Sequence, residues 1–355
     1  MAPKRNETWI AHFNARVRAM KSLLFDRDRY DDLLEQEDLG VLVEVLLNSP
    51  YEQDMAEALT RYQGADAVEE AVARNLTRTF EKLVTLAENC FQDRFRLFLL
   101  RWDLTAAKDL LRKRHHDARA HAHLARPCPG PTLTIPILAD LAERDTMESL
   151  IGGLVMFHPA LFQCLGTVYA DYMRFRDLAV LEDALDHAYF VDLARELGQA
   201  RDDDARDLCQ FLRMCIDRIN LLALFQLKAH RAQAASVETR ILPEGTLSRT
   251  VLHTMAAAER PEEVMEAVGA TAYQELIEGL YLYVQTKRLG PLDRLFDLFF
   301  ITALRRMARR HALGLAVVMS YLWLKHNEAM NLRMLARGEA RHLPRGRVRE
   351  ELIYA

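Results

Sequence analysis

Ile216-Asp217-Arg218-Ile219-Asn220-Leu221-Leu222, followed by Leu242-Pro243-Glu244-Gly245, is nearly repeated further along the chain, where Asn327-Glu328-Ala329-Met330-Asn331-Leu332-Arg333 precedes Leu343-Pro344-Arg345-Gly346. A fainter copy lies upstream. Asp103, Ala106, Ala107 and Leu110 line up with Asp217, Asn220, Leu221 and Leu224, and these with Glu328, Asn331, Leu332 and Leu335. Every set is spaced i, i+3, i+4, i+7, which puts an acid, a small or amide residue and two apolar residues on one helix face. A Pro/Gly turn follows each copy, at Pro127 to Pro131, Pro243 to Gly245 and Pro344 to Gly346. Long fixed periods of this kind mark repeated units, each burying a face against its neighbours.

A second marker keeps the same order. Ser49-Pro50-Tyr51-Glu52 reads as an N-cap serine, a proline at the first helical position and a glutamate closing a capping box; Thr271-Ala272-Tyr273-Gln274 repeats it. In the middle copy the place is taken by His158-Pro159-Ala160-Leu161-Phe162, which keeps the aromatic and loses the box. Helical periodicity dominates elsewhere, as in the stripe Leu76, Phe80, Leu83, Val84 and Ala87. The sequence therefore predicts an all-α protein in three helical units, 1–125, 126–240 and 241–355.

At 355 residues the chain is long enough to bury about three quarters of its unfolded surface. Half of it is hydrophobic, 28% is charged and the net charge is −4, which argues against general nucleic-acid binding. Five scattered cysteines without a CxxC read as thiols in a reducing compartment. Pro3-Lys4-Arg5 leads into a mixed polar segment with no apolar signal core. Ser149 to Ala170 carries no formal charge and is long enough to cross a bilayer. However, Gly152-Gly153 and His158-Pro159 interrupt it, so it reads as the end of one buried helix and the start of the next.

Phosphate loops, dinucleotide fingerprints, zinc-protease motifs and nucleophile elbows are all missing, which favours a binding or structural role over catalysis. His115, His116, Asp117, His121 and His123 form one metal-like cluster. It falls at an expected solvated helix end with no distant ligand to complete it, so no metal or other cofactor is assigned. Asp103, Asp217, Asn220, Glu328 and Asn331 are read as structural, as buried polar groups that bond neighbouring helices. Arg305, Arg306, Arg309 and Arg310 form a basic patch, the candidate interface.

The closing segment, with Tyr321-Leu322-Trp323-Leu324-Lys325, Glu328, Asn331-Leu332-Arg333, Gly338, Leu343-Pro344 and Glu350-Glu351-Leu352-Ile353, resembles the C-terminal signature of the C subunits of archaeal and bacterial A/V-type rotary ATPases, relatives of the d subunits of eukaryotic V-ATPases. The likeness extends over nearly the whole chain, through Ser49-Pro50-Tyr51, the Asp103 to Arg112 helix and Asp217-Arg218-Ile219-Asn220. One departure is Ala106, where the family pattern expects an amide. The resemblance implies a pseudo-threefold funnel of three helical units. It also implies a non-catalytic rotor part on the cytoplasmic side of the membrane, present as a single copy in a hetero-oligomer. Its partners would be the central-stalk subunits and the membrane proteolipid ring, between which it would pass torque for ATP-linked proton or sodium transport. Two other readings compete with it: a free-standing helical-repeat interaction scaffold, and a metal-dependent hydrolase built on the histidine cluster.

Overall fold

The computed structural model describes residues 7–36, 38–88, 90–116, 130–229, 241–286 and 290–354. Among them every regular element is a helix. Two compact bodies result, residues 1–185 together with 311–355, and residues 186–310.

The first body is organised by Leu315–Ala340, a helix buried on almost every side. Its first half, Leu315–Leu324, is apolar round nearly the whole circumference, as suits a core helix, and Gly64–Leu86 and Glu7–Lys21 pack along the helix. Glu52–Leu59 lies on Gly64–Leu86, and Arg27–Gln36, Leu39–Leu47 and the terminal Arg345–Glu351 close one end. The core joins both ends of the chain: Phe25, Tyr30, Leu33, Leu46 and Tyr51 pack with Leu332, Leu335, Val348 and Leu352. The same body holds Gln92–His115, Ile135–Ala142, Met147–Phe157 and Pro159–Phe175.

In the second body, Asp203–Ala229 packs with Leu193–Leu197, Pro261–Gly269, Ile277–Thr286 and Gly290–Arg310. A π-helical turn at His187–Asp192 precedes it, and Arg249–Ala257 completes the set. Arg218 reaches from Asp203–Ala229 to Asp293 at 2.9 Å, and Phe211 meets Phe300 with ring centroids 5.8 Å apart.

Several helix ends follow from local chemistry. Thr146 accepts a hydrogen bond from the Ser149 N–H at 3.1 Å, and Ser248 accepts one from Val251 at 3.3 Å, each satisfying an orphan donor of the first turn. The uncharged stretch breaks where the sequence places its turn. Met147–Phe157 stops at His158, whose Nδ1 accepts the Leu161 N–H at 3.1 Å, and Pro159 opens the next helix. Among the described residues no helix is long and apolar enough to cross a membrane.

Two local expectations are corrected. Ser49 is not the cap of a helix with Pro50 at its first position, because Glu52–Leu59 starts later, after Tyr51. The Ser49 hydroxyl instead donates to the Leu46 carbonyl and accepts from the Tyr51 N–H, stitching two successive helices together. Thr271 does the same between Val268 and Tyr273, so the repeated element is a hydroxyl-tied joint and not a capping box. Pro344 to Gly346 is likewise no counterpart of Pro243 to Gly245. It opens the helix Arg345–Glu351, where proline is tolerated because the first-turn N–H has no helical partner.

Candidate functional site

The repeated acid is buried in all three copies, Asp103 in Gln92–His115, Asp217 in Asp203–Ala229 and Glu328 in Leu315–Ala340. Each grips backbone that lies outside its own helix. Asp103 accepts the Thr132 N–H at 3.1 Å and the Leu133 N–H at 2.7 Å. Asp217 accepts the Thr246 N–H at 2.9 Å and the Leu247 N–H at 3.1 Å, and the Thr246 hydroxyl as well. The sequence separations are the same in both copies, 29 and 30 residues. Glu328 accepts the N–H of Phe25, near the other end of the chain, at 2.6 Å.

Tyrosine completes two of the three joints. The Tyr273 hydroxyl donates to Asp217 at 2.7 Å, and the Tyr51 hydroxyl donates to Glu328 at 2.8 Å. These are the aromatics of the Ser49 and Thr271 motifs, and the middle copy carries Phe162 in their place. Burial next to a carboxylate pushes both phenols well up, so they stay donors across the accessible pH range.

The amide positions add a second pair of bonds. Asn220 donates to the Leu242 carbonyl at 2.8 Å and accepts the Leu242 N–H at 2.7 Å. Asn331 does the same to Ile353, at 2.9 and 3.0 Å, again 22 residues away. Leu242 therefore corresponds to Ile353 and not to Leu343, and the shared Leu-Pro-x-Gly lettering is out of register. The amides bond irregular backbone rather than a neighbouring helix. Ala106 can form no such pair.

Glycine matters where the acid is short. A Cβ on Gly130 would collide with the Asp103 carboxylate, and one on Gly245 with that of Asp217. Glu328 reaches one methylene further, and its partner loop carries Leu23 and Leu24 before Phe25. It also has a counterion: Lys325 Nζ lies 2.8 Å from Glu328 and 4.0 Å from the centre of the Tyr51 ring. Burial pushes the Lys325 ammonium down, and Glu328 opposes that shift. At Asp103, burial outweighs the backbone donors and pushes the carboxyl up to about 6. Asp217 moves the same way for the same reason.

The arginine patch occupies the last two turns of Gly290–Arg310. Arg306, Arg309 and Arg310 are exposed and Arg305 is half-buried. Arg310 bonds Gln210 at 3.0 Å and lies 3.9 Å from Asp207. Of the histidine cluster, His115 contacts the Tyr172 hydroxyl at 3.1 Å and His116 caps its helix, while Asp117, His121 and His123 lie outside the described residues. Among the described residues no group of three or more histidine, cysteine or acidic side chains is placed to hold a metal, and no cysteine is in a disulfide.

Comparison with known proteins adds identity to this geometry. Residues 13–351 match the family described as ATP synthase (C/AC39) subunit. The A-type ATP synthase C subunit of Methanococcoides burtonii is 28% identical over 346 residues, covering 97% of this chain and 94% of that protein. The corresponding protein of Methanosarcina mazei is 27% identical over 99% of this chain and 94% of its own length. That of Thermococcus onnurineus is 26% identical over 91% of this chain and 84% of its own length.

Proposed function

The chain belongs to the ATP synthase (C/AC39) subunit family, and from that premise we propose that it is a non-catalytic rotor subunit joining the central stalk to the membrane proteolipid ring. It turns with both and passes torque between the ATP-handling head and the ion-carrying ring. It sits as a single copy on the cytoplasmic face, peripheral to the membrane, and its three helical units, 1–125, 126–240 and 241–355, form a pseudo-threefold funnel.

The observation that carries this reading is the joint built three times at one register position. Asp103 grips the loop that opens the second third, Asp217 the loop that opens the last, and Glu328 the loop near the start of the chain. Each joint ties one long buried helix to backbone outside it. Close-packed helices resist deformation, and buried, hydrogen-bonded carboxylates limit slippage of each long helix against the backbone it grips. A part that transmits torque requires both properties.

The test is reconstitution. The purified chain is expected to bridge the isolated central stalk and the detergent-solubilised proteolipid ring into one species on size exclusion, and omitting the chain should leave the two apart. A folded, helical chain that binds neither would reject the rotor role.

A further inference from the structure

The helix Gly290–Arg310 separates its charges along its length. Its acids, Asp293 and Asp297, lie in the first half and face Arg218 at 2.9 and 4.0 Å. Its second half holds Arg305, Arg306, Arg309 and Arg310 and no acid. Phe296, Phe300, Leu304 and Met307 bury the inward stripe, so by helical spacing the arginines share the opposite side. Arg310 is engaged within the chain through Gln210 and Asp207. Among the described residues, Arg305, Arg306 and Arg309 have neither an ion pair nor a hydrogen-bond acceptor.

Such an arrangement is unfavourable in the isolated chain. Like charges four residues apart, as at Arg305 and Arg309, repel. The helix dipole rewards cations in the last turn only, which covers Arg309 but not Arg305 or Arg306. An external anion would offset the repulsion, and the planar guanidinium fork fits carboxylates and phosphates. The choice between a protein and a lipid surface rests on what accompanies the charge. A helix that lies on a membrane sets apolar side chains beside its basic ones. Gly290–Arg310 has no large exposed apolar residue.

We propose that Arg305, Arg306 and Arg309 form a docking surface for a carboxylate-rich segment of a partner protein in the rotary complex. The proposal rests on the rotor reading above. Its test compares the wild-type chain with R305E/R306E/R309E, leaving Arg310 in place because it bonds inside the chain. Both proteins are added to the complex stripped of this subunit, and affinity is followed against salt. An oligoglutamate peptide and phosphatidylserine vesicles serve as separate probes. We expect the variant to bind at least about tenfold more weakly, with a flatter salt dependence, oligoglutamate to compete with the wild type, and neither protein to sediment with vesicles. A neutral R305Q/R306Q/R309Q chain should fall between the two, and it replaces the Glu variant should that one fail to fold. Equal affinity and salt slope for wild type and variant would overturn the docking surface while leaving the rotor role intact. Sedimentation with vesicles that depends on these arginines would overturn it in favour of lipid. Failure of the wild-type chain itself to join the complex would instead remove the rotor reading and this proposal with it.

Discussion

Asp103, Asp217 and Glu328 hold one register position but are compensated unequally. Asp217 has two backbone donors and two hydroxyls, and Glu328 has a backbone donor, a hydroxyl and a lysine. Asp103 is gripped by the backbone of Thr132 and Leu133 and by the Thr132 hydroxyl, with no tyrosine at the register of Tyr51 and Tyr273 and no amide at Ala106. Its carboxyl is correspondingly the one pushed up to about 6, from an ordinary 3.8, by burial. Between these two values the unfolded chain has lost the proton and the folded chain keeps it, so the folded state binds more protons and stability falls as pH rises. The fall amounts to about 3 kcal/mol, complete once pH exceeds the folded value. Asp103→Asn removes the titration. We expect the stability of the wild type relative to this variant, from urea unfolding at several pH values, to drop between pH 4 and about 6.5. A rise over that range would mean that the N–H donors outweigh burial.

At the scale of the element, the loops after the helices that carry Asp103 and Asp217 are shaped by the acid they must admit. Gly130 and Gly245 stand where a Cβ would strike the carboxylate, whereas Gly346 has nothing within 4 Å and lies inside the helix Arg345–Glu351. Gly245→Ala should therefore destabilise its body by about 1–3 kcal/mol through overpacking against Asp217. Gly346→Ala should be neutral or stabilising by up to about 1 kcal/mol, since alanine is the better helix former. Thermal unfolding of the two variants separates these outcomes, and equal losses would restore the equivalence that the sequence implies. The contrast shows what a linear reading can reach. Acid and amide at i and i+3 betray a buried helical face, and Pro159 after His158 betrays a helix junction, because side-chain identity alone carries those signals. Backbone partners leave no such mark. Nothing in the letters says that Asn331 bonds Ile353, or that Asp217 approaches Gly245 too closely for a side chain. The recurring Leu-Pro-x-Gly therefore suggests one register, whereas the bonds to Asn220 and Asn331 put Leu242 and Ile353 at equivalent places. The arginine patch was legible as charge, but the engagement of Arg310 by Gln210 and Asp207 required the fold.

At the scale of the molecule, the two ends of the chain are held in one core, and the Glu328 joint locks it. Phe25 and Tyr51 come from the beginning of the chain and Lys325 from the helix that carries Glu328, and all four groups are buried. Lys325 is peculiar to this joint, since Leu100 and Met214 occupy the place three residues before the other two acids. Removing the acid and removing the base should then have different consequences. Lys325→Met leaves Glu328 with the Phe25 N–H and the Tyr51 hydroxyl, much as Asp217 manages beside Met214. Glu328→Gln leaves the buried ammonium with Asp54 as its remaining nearby acid and without its bonded partner, and breaking a buried pair from one side costs about 3–5 kcal/mol. The double variant, Lys325→Met with Glu328→Gln, removes both charges and should recover most of that loss. A double-mutant cycle by urea denaturation measures the coupling. Additive losses would mean that the lysine is held by packing alone and that the acid closes the chain without it. A large favourable coupling, with the glutamine variant alone exposing residues 7–36 to proteolysis, would identify the pair as the clasp between the first and last segments.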